Sequence, residues 1–166
     1  MWLFFWDDFV DGSGDVAAAA EGGDGGDEAA RAERYRDQSL EFVRFHLLGG
    51  AVGEGEPGAL NAICGLFAEV AKRVRIVCGD DEAQRWGLFR SIEAYMDGCV
   101  VEARWRASGG LPRSVEEFYG FRLHTSAVEI LLDVSRMLNR IELPTSILGS
   151  GEVKKMRTCA NKISIM

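Results

Sequence analysis

The sequence predicts an all-α protein, and three features carry that expectation. Apolar residues recur at three- and four-residue spacings along most of the chain, which is the period of one helix face. The periodic runs stop at Gly49-Gly50, Gly79, Gly109-Gly110 and Pro144, residues that end helices. The only strand-like runs, Arg75-Ile76-Val77 and Val100-Val101, fall inside helical patterns. With 166 residues, 47% of them apolar and 27% charged, the chain reads as a single domain over residues 1–166, long enough to bury a core.

The elements follow in order. Met1–Trp6 is an aromatic-rich apolar run, and three aspartates stand directly behind it in Asp7-Asp8-Phe9-Val10-Asp11. Residues 12–28 are a Gly-, Ala- and Asp-rich stretch that reads as a flexible acidic loop. A helix is expected from about Glu28 to Leu48, with Tyr35, Leu40, Val43 and Leu47 as its apolar stripe. Residues 49–58 form a second Gly-rich loop, and a helix over about Ala59 to Val77 carries Ile63, Phe67, Val70 and Val74 in step. Asp80 or Asp81 caps a long helix to about Ala107, bearing Trp86, Phe89, Ile92, Met96, Cys99 and Val100. Ser114 with Glu117 three residues on is a capping-box pattern. It opens a helix expected to run to about Asn139, and a last helix starts near Ser150.

Charge is unevenly spread. Residues 1–30 hold eight acids and no Lys or Arg, so the net charge of −7 belongs to the aspartate segment and the loop behind it. No basic stripe offers a footprint for a nucleic-acid backbone, so no nucleic-acid partner is expected. Cys64, Cys78, Cys99 and Cys159 are scattered without a CxxC pair, and only His46 and His124 could join them. Reduced thiols are therefore the expectation, and a zinc site is not. The apolar start lacks a positive n-region and meets acids after six residues, unlike a signal peptide. No run approaches the roughly 20 apolar residues of a membrane span. A cytoplasmic setting is the default expectation, and oligomeric state is left open.

Two segments carry chemistry. On a helix, Asp7 and Asp11 stand at i and i+4, and Asp8 and Asp11 at i and i+3, so three carboxylates crowd neighbouring parts of one face. Such repulsion gains a structural helix nothing. It becomes favourable when Mg²⁺, which takes one or two carboxylates plus substrate phosphates, sits among them. The aromatic turns in front suit a substrate with an anionic head and a hydrocarbon tail. Solvated helix ends, where Asp favours the first turn, are the plain alternative. The second segment runs from Glu102 through a Gly-Pro turn and the Ser114 cap to Arg122. Arg122 shares its stretch with Phe118 and Phe121, which turns it inward toward an anion that its planar fork can grip. A surface arginine salt-bridged to Glu117 or Glu129 is the alternative.

In the order in which they occur, these motifs resemble those of class I terpene synthases of the microbial and fungal type. The resemblance rests on the DDxxD at Asp7, Asp8 and Asp11, then Glu102, Trp105-Arg106, Gly109, Pro112, Glu117-Phe118, and Arg122 with Thr125 and Ser126. It implies a partial class I terpenoid synthase helical bundle, with Arg122 as diphosphate sensor, Thr125 as linker and Ser126 at the effector position. It also implies Mg²⁺ on Asp7, Asp8 and Asp11, and a prenyl diphosphate substrate, farnesyl diphosphate by family habit. Ionisation of that substrate would yield a carbocation that is then cyclised. Phe4, Phe5, Phe9 and Tyr95 would face it in the pocket, with ordinary core packing as the alternative for each ring.

The family places a second metal motif, NDxxSxxxE, some tens of residues after the sensor arginine. The sequence stops near Asn161 and Ser164, whose spacing does not supply it. The expectation is thus a terpene synthase domain incomplete at both ends, with an inactive helical fragment as the alternative. A chain-elongating prenyl synthase would need a second aspartate-rich motif, which Asp80-Asp81-Glu82 does not complete. An EF-hand fails at the glycine that its sixth position requires.

Overall fold

A computed structural model of the chain describes Trp2, Leu3, Trp6, Val10 and residues 25–50, 55, 57–108 and 112–165. Trp2, Leu3, Trp6 and Val10 have helical backbone. Among the described residues seven further helices follow: α1 Gly25–Leu48, α2 Ala62–Cys78, α3 Glu82–Ala107, α4 Val115–Thr125, α5 Val128–Leu138, α6 Thr145–Leu148 and α7 Gly151–Ser164. Among the described residues there is no strand, as the periodicity predicts. No described helix is long and apolar enough to cross a membrane.

Local chemistry explains most boundaries. Asn61, Asp81, Ser114 and Ser150 each cap a helix by accepting a backbone N–H three residues on, which satisfies one of the donors a helix start leaves unpaired. At Ser114 the pairing is nearly reciprocal, because Glu117 also accepts from the Arg113 N–H at 2.6 Å. Gly79 takes φ 54° behind α2, and its N–H closes on the Arg75 carbonyl. Such a positive φ costs glycine little.

Two boundaries differ from the sequence reading. α1 starts at Gly25, so residues 25–28 belong to a helix rather than to the acidic loop. The helix expected to run unbroken to Asn139 is two helices, α4 and α5, parted at Ser126 and Ala127.

α3 is the spine. It packs on α1, α2, α4 and α5, while α7 closes against α4, α5 and α6. The core at its centre is built from Trp6, Tyr35, Val43, Leu47, Phe67, Phe89, Ile92, Tyr95 and Met96. The expected stripes largely line it, except that Val70, Trp86 and Phe118 sit substantially in solvent. Asp133 is buried on α5 because Arg157 of α7 pairs with it at 3.0 Å and the Ser91 hydroxyl of α3 donates to it at 2.6 Å. A buried carboxylate needs such partners. All four cysteines are free thiols, three of them buried.

Candidate active site

The Ser114 cap sets the register of α4 and places Arg122 two turns along it. The Arg122 Nη1 donates to the Thr125 hydroxyl at 3.1 Å, and the residue is half-buried. Neither carboxylate expected as an ion-pair partner serves it. Glu117 is held at the start of its own helix by the Arg113 N–H, and Glu129 receives the Arg157 Nε at 2.5 Å. Among the described residues Arg122 therefore forms no ion pair. Its fork, steadied by Thr125, keeps donors to offer an anion.

Directly after Thr125 the chain breaks. Ala127 takes the left-handed conformation, φ 58°, with no side-chain cap on α5. A residue with a Cβ pays about 1–3 kcal/mol for that conformation, so its surroundings must enforce it. Residues on both sides of it are held by Ser126, whose hydroxyl lies 3.2 Å from the Leu123 carbonyl, and by α7. Asn161 is 1% exposed. Its amide Nδ2 donates to the Leu123 carbonyl at 2.6 Å, and its Oδ1 accepts from the Ser126 hydroxyl at 2.6 Å. The Ser126 oxygen in turn accepts from the Val128 N–H at 3.3 Å. One side chain thus holds the last turn of α4 and the residue just before the break.

α3 joins this break to the N-terminal segment. The Tyr95 ring is buried with its centroid 6.3 Å from that of Trp6. Three residues on, α4 closes on Gly98 so tightly that a Cβ there would sit 2.9 Å from Thr125 Cγ2 and 3.1 Å from His124 Cβ. Three residues advance a helix by about 4.5 Å. Trp6, next to the aspartates in sequence, and Thr125, within the arginine segment, therefore meet α3 within a single turn.

A polar cluster fixes that N-terminal segment. Trp6 is 0% exposed, donates its indole N–H to Ser39 Oγ at 3.0 Å, and stacks on Tyr35 with centroids 5.6 Å apart. The Tyr35 hydroxyl accepts from Asn61 Nδ2 at 3.0 Å. Burial, with added help from Cys64, holds that phenol well above its ordinary range. The Trp2 indole N–H donates to the Ile63 carbonyl at 2.7 Å.

Asp7, Asp8 and Asp11, and the rings of Phe4, Phe5 and Phe9, lie outside the described residues. Among the described residues no group of three or more His, Cys, Asp or Glu side chains could hold a metal. A groove of about 420 Å³ lies between α3 and α4, lined by Asp97, Gly98, Trp105, Phe121 and His124 among others but not by Arg122. Asp97 at its edge is paired with Arg36. Sequence reasoning missed two residues, Gly98 and Asn161. The available signal for Asn161 was its place on the α7 stripe Val153, Arg157, Asn161, where a polar residue facing inward must find partners.

Fold and site together define an all-helical protein with a half-buried arginine, without an ion pair among the described residues, beside a helix break at Ser126 and Ala127. Over residues 1–166 the chain matches the model of terpene synthase family 2, C-terminal metal binding, and it belongs to that family. It is similar to a 10-epi-cubebol synthase of Sorangium cellulosum (strain So ce56), 28% identical over 166 residues, which is 98% of this chain and 45% of that protein. The chain thus spans less than half the length of that curated relative. No solved structure gives a significant match.

Proposed function

We propose that this chain supplies part of the active site of a Mg²⁺-dependent terpene synthase, which ionises a prenyl diphosphate, farnesyl diphosphate first among candidates, and cyclises the carbocation. The observation that carries the reading is the half-buried Arg122, hydrogen-bonded through its guanidinium to Thr125 and without an ion pair among the described residues. Family membership supports it, with a family model that is metal-binding by description. Similarity to a 10-epi-cubebol synthase supports a synthase activity of this kind.

In this reading Asp7, Asp8 and Asp11 hold the Mg²⁺. Their hard carboxylate oxygens suit that ion. When bound, Mg²⁺ neutralises diphosphate charge and so eases its departure. Arg122 grips the diphosphate, and Thr125 fixes the direction of its fork. Ser126 ends α4 at the point where negative charge grows on the leaving group. Phe4, Phe5 and Phe9 would face the hydrocarbon, exclude water and stabilise positive charge through their ring faces, while Tyr95, buried against Trp6, packs in the core instead.

Incubation of the purified chain with Mg²⁺ and geranyl, farnesyl or geranylgeranyl diphosphate tests the activity. Release of diphosphate with a cyclic hydrocarbon or alcohol in the organic extract is the expected result, lost in Arg122→Ala. A second reading, a helical fragment without turnover, is favoured by the exposed apolar side chains Ile76, Leu138, Met156 and Ile163. Under that reading no product forms from any of the three substrates.

A further inference from the structure

We propose that Asn161 is a positioning residue for the diphosphate end of the site, tying α7 to the break between α4 and α5; this rests on the reading of Arg122 as the diphosphate-binding group. Three observations carry it. Asn161 is almost wholly buried, yet it sits on a helix whose residues are mostly exposed. Both ends of its amide are used, and their chemistry is not interchangeable: the NH₂ meets the Leu123 carbonyl, and the carbonyl meets the Ser126 hydroxyl. The contacts fall one residue after Arg122 and one residue before Ala127, which has a left-handed backbone and makes no side-chain cap bond of its own.

Ser126 is the one local group at the break, its hydroxyl accepting from the Val128 N–H and lying 3.2 Å from the Leu123 carbonyl. Ala127 is a strong helix former and carries neither the ring of proline nor the freedom of glycine. With the Asn161 amide removed, the Leu123 carbonyl loses its 2.6 Å donor and keeps only the Ser126 hydroxyl at 3.2 Å, and continuous helix from α4 into α5 becomes the competing arrangement. Arg122 and Thr125 lie on the last turn before the break, so their orientation depends on which arrangement wins. Asn161 touches neither metal nor substrate in this account; it acts through Ser126 and Leu123.

Two substitutions separate hydrogen bonding from space filling. Asn161→Leu keeps the volume and removes both bonds. Asn161→Asp keeps the acceptor for Ser126 and, when ionised, turns the donor facing Leu123 into a repelling oxygen. Hydrogen exchange of the backbone amides across residues 122–130 is measured for both variants relative to the parent chain between pH 5 and 8. Taking the ratio at each pH cancels the intrinsic pH dependence of exchange. The inference predicts faster exchange in both, on the order of tenfold, the factor that loss of one buried hydrogen bond implies. In Asn161→Asp the protection returns toward pH 5, where the protonated acid again donates to Leu123. A purely space-filling role gives parental exchange in Asn161→Leu and no pH dependence in Asn161→Asp; either result overturns the inference. Diphosphate binding is read separately. If the parent chain fails to bind Mg²⁺ plus inorganic diphosphate while the exchange pattern appears, the reading of Arg122 falls and the role of Asn161 at the break stands. If the parent binds and Asn161→Asp binds equally well at pH 8, positioning of the diphosphate end is refuted.

Discussion

Trp6 and Tyr35 couple the aspartate segment to the core through chemistry that pH can read. The Tyr35 phenol is raised by burial and by Cys64 against the lowering effect of its bond from Asn61, and the Cys78 thiol is raised chiefly by burial. For both groups the neutral form is favoured in the folded chain, so the unfolded chain ionises first as pH rises. Their contribution is complete below the ordinary pKa values, about 8.5 for a thiol and about 10 for a phenol, and is lost above them. The unfolding midpoint should therefore hold level from pH 7 to about 8.5 and then fall. Tyr35→Phe combined with Cys78→Ala should flatten the alkaline decline, at the cost of leaving the Asn61 amide one acceptor short. An equally steep decline in the double variant would contradict this account.

Among the elements, the contact of α3 with α4 turns on Gly98. Alanine in mid-helix gains about 1 kcal/mol over glycine by propensity. Here the added Cβ meets Thr125 Cγ2 at 2.9 Å, and Thr125 cannot rotate freely while Arg122 holds its hydroxyl. Overpacking of this kind costs about 1–3 kcal/mol. Gly98→Ala should thus be neutral to destabilising, by up to about 2 kcal/mol in chemical denaturation, and should weaken diphosphate binding. A more stable variant with unchanged binding would show that α4 yields at no cost. The helices themselves were legible in the sequence because their signals are local: the Ser114 and Glu117 pair, the Asp81 cap and the glycine stops all act within a few residues. The break after Thr125 was not legible, because Ala127 carries no local sign of it and the constraint comes from Asn161, 35 residues past Ser126. The condition of Arg122 was half legible. Its segment leaves an inward arginine and a salt-bridged one both open, and only the fold shows that Glu117 and Glu129 are engaged elsewhere.

Across the whole molecule, α3 gathers two segments that are far apart in the chain, through Tyr95 against Trp6 and Gly98 against Thr125. This arrangement gives the central claim a direct physical consequence, since metal and diphosphate would bridge the aspartate segment and the arginine segment and hold both to the core. A ligand bound only by the folded state must raise the unfolding temperature, by an amount that grows with its concentration over Kd. The most direct measurement is thermal unfolding of this chain with Mg²⁺ alone, with inorganic diphosphate alone, and with both together. A rise in midpoint that requires both ligands, and that disappears in Asp7→Ala and in Arg122→Ala, is the predicted result. A midpoint indifferent to both ligands, or a rise that survives either substitution, would contradict the claim that these residues form one diphosphate site.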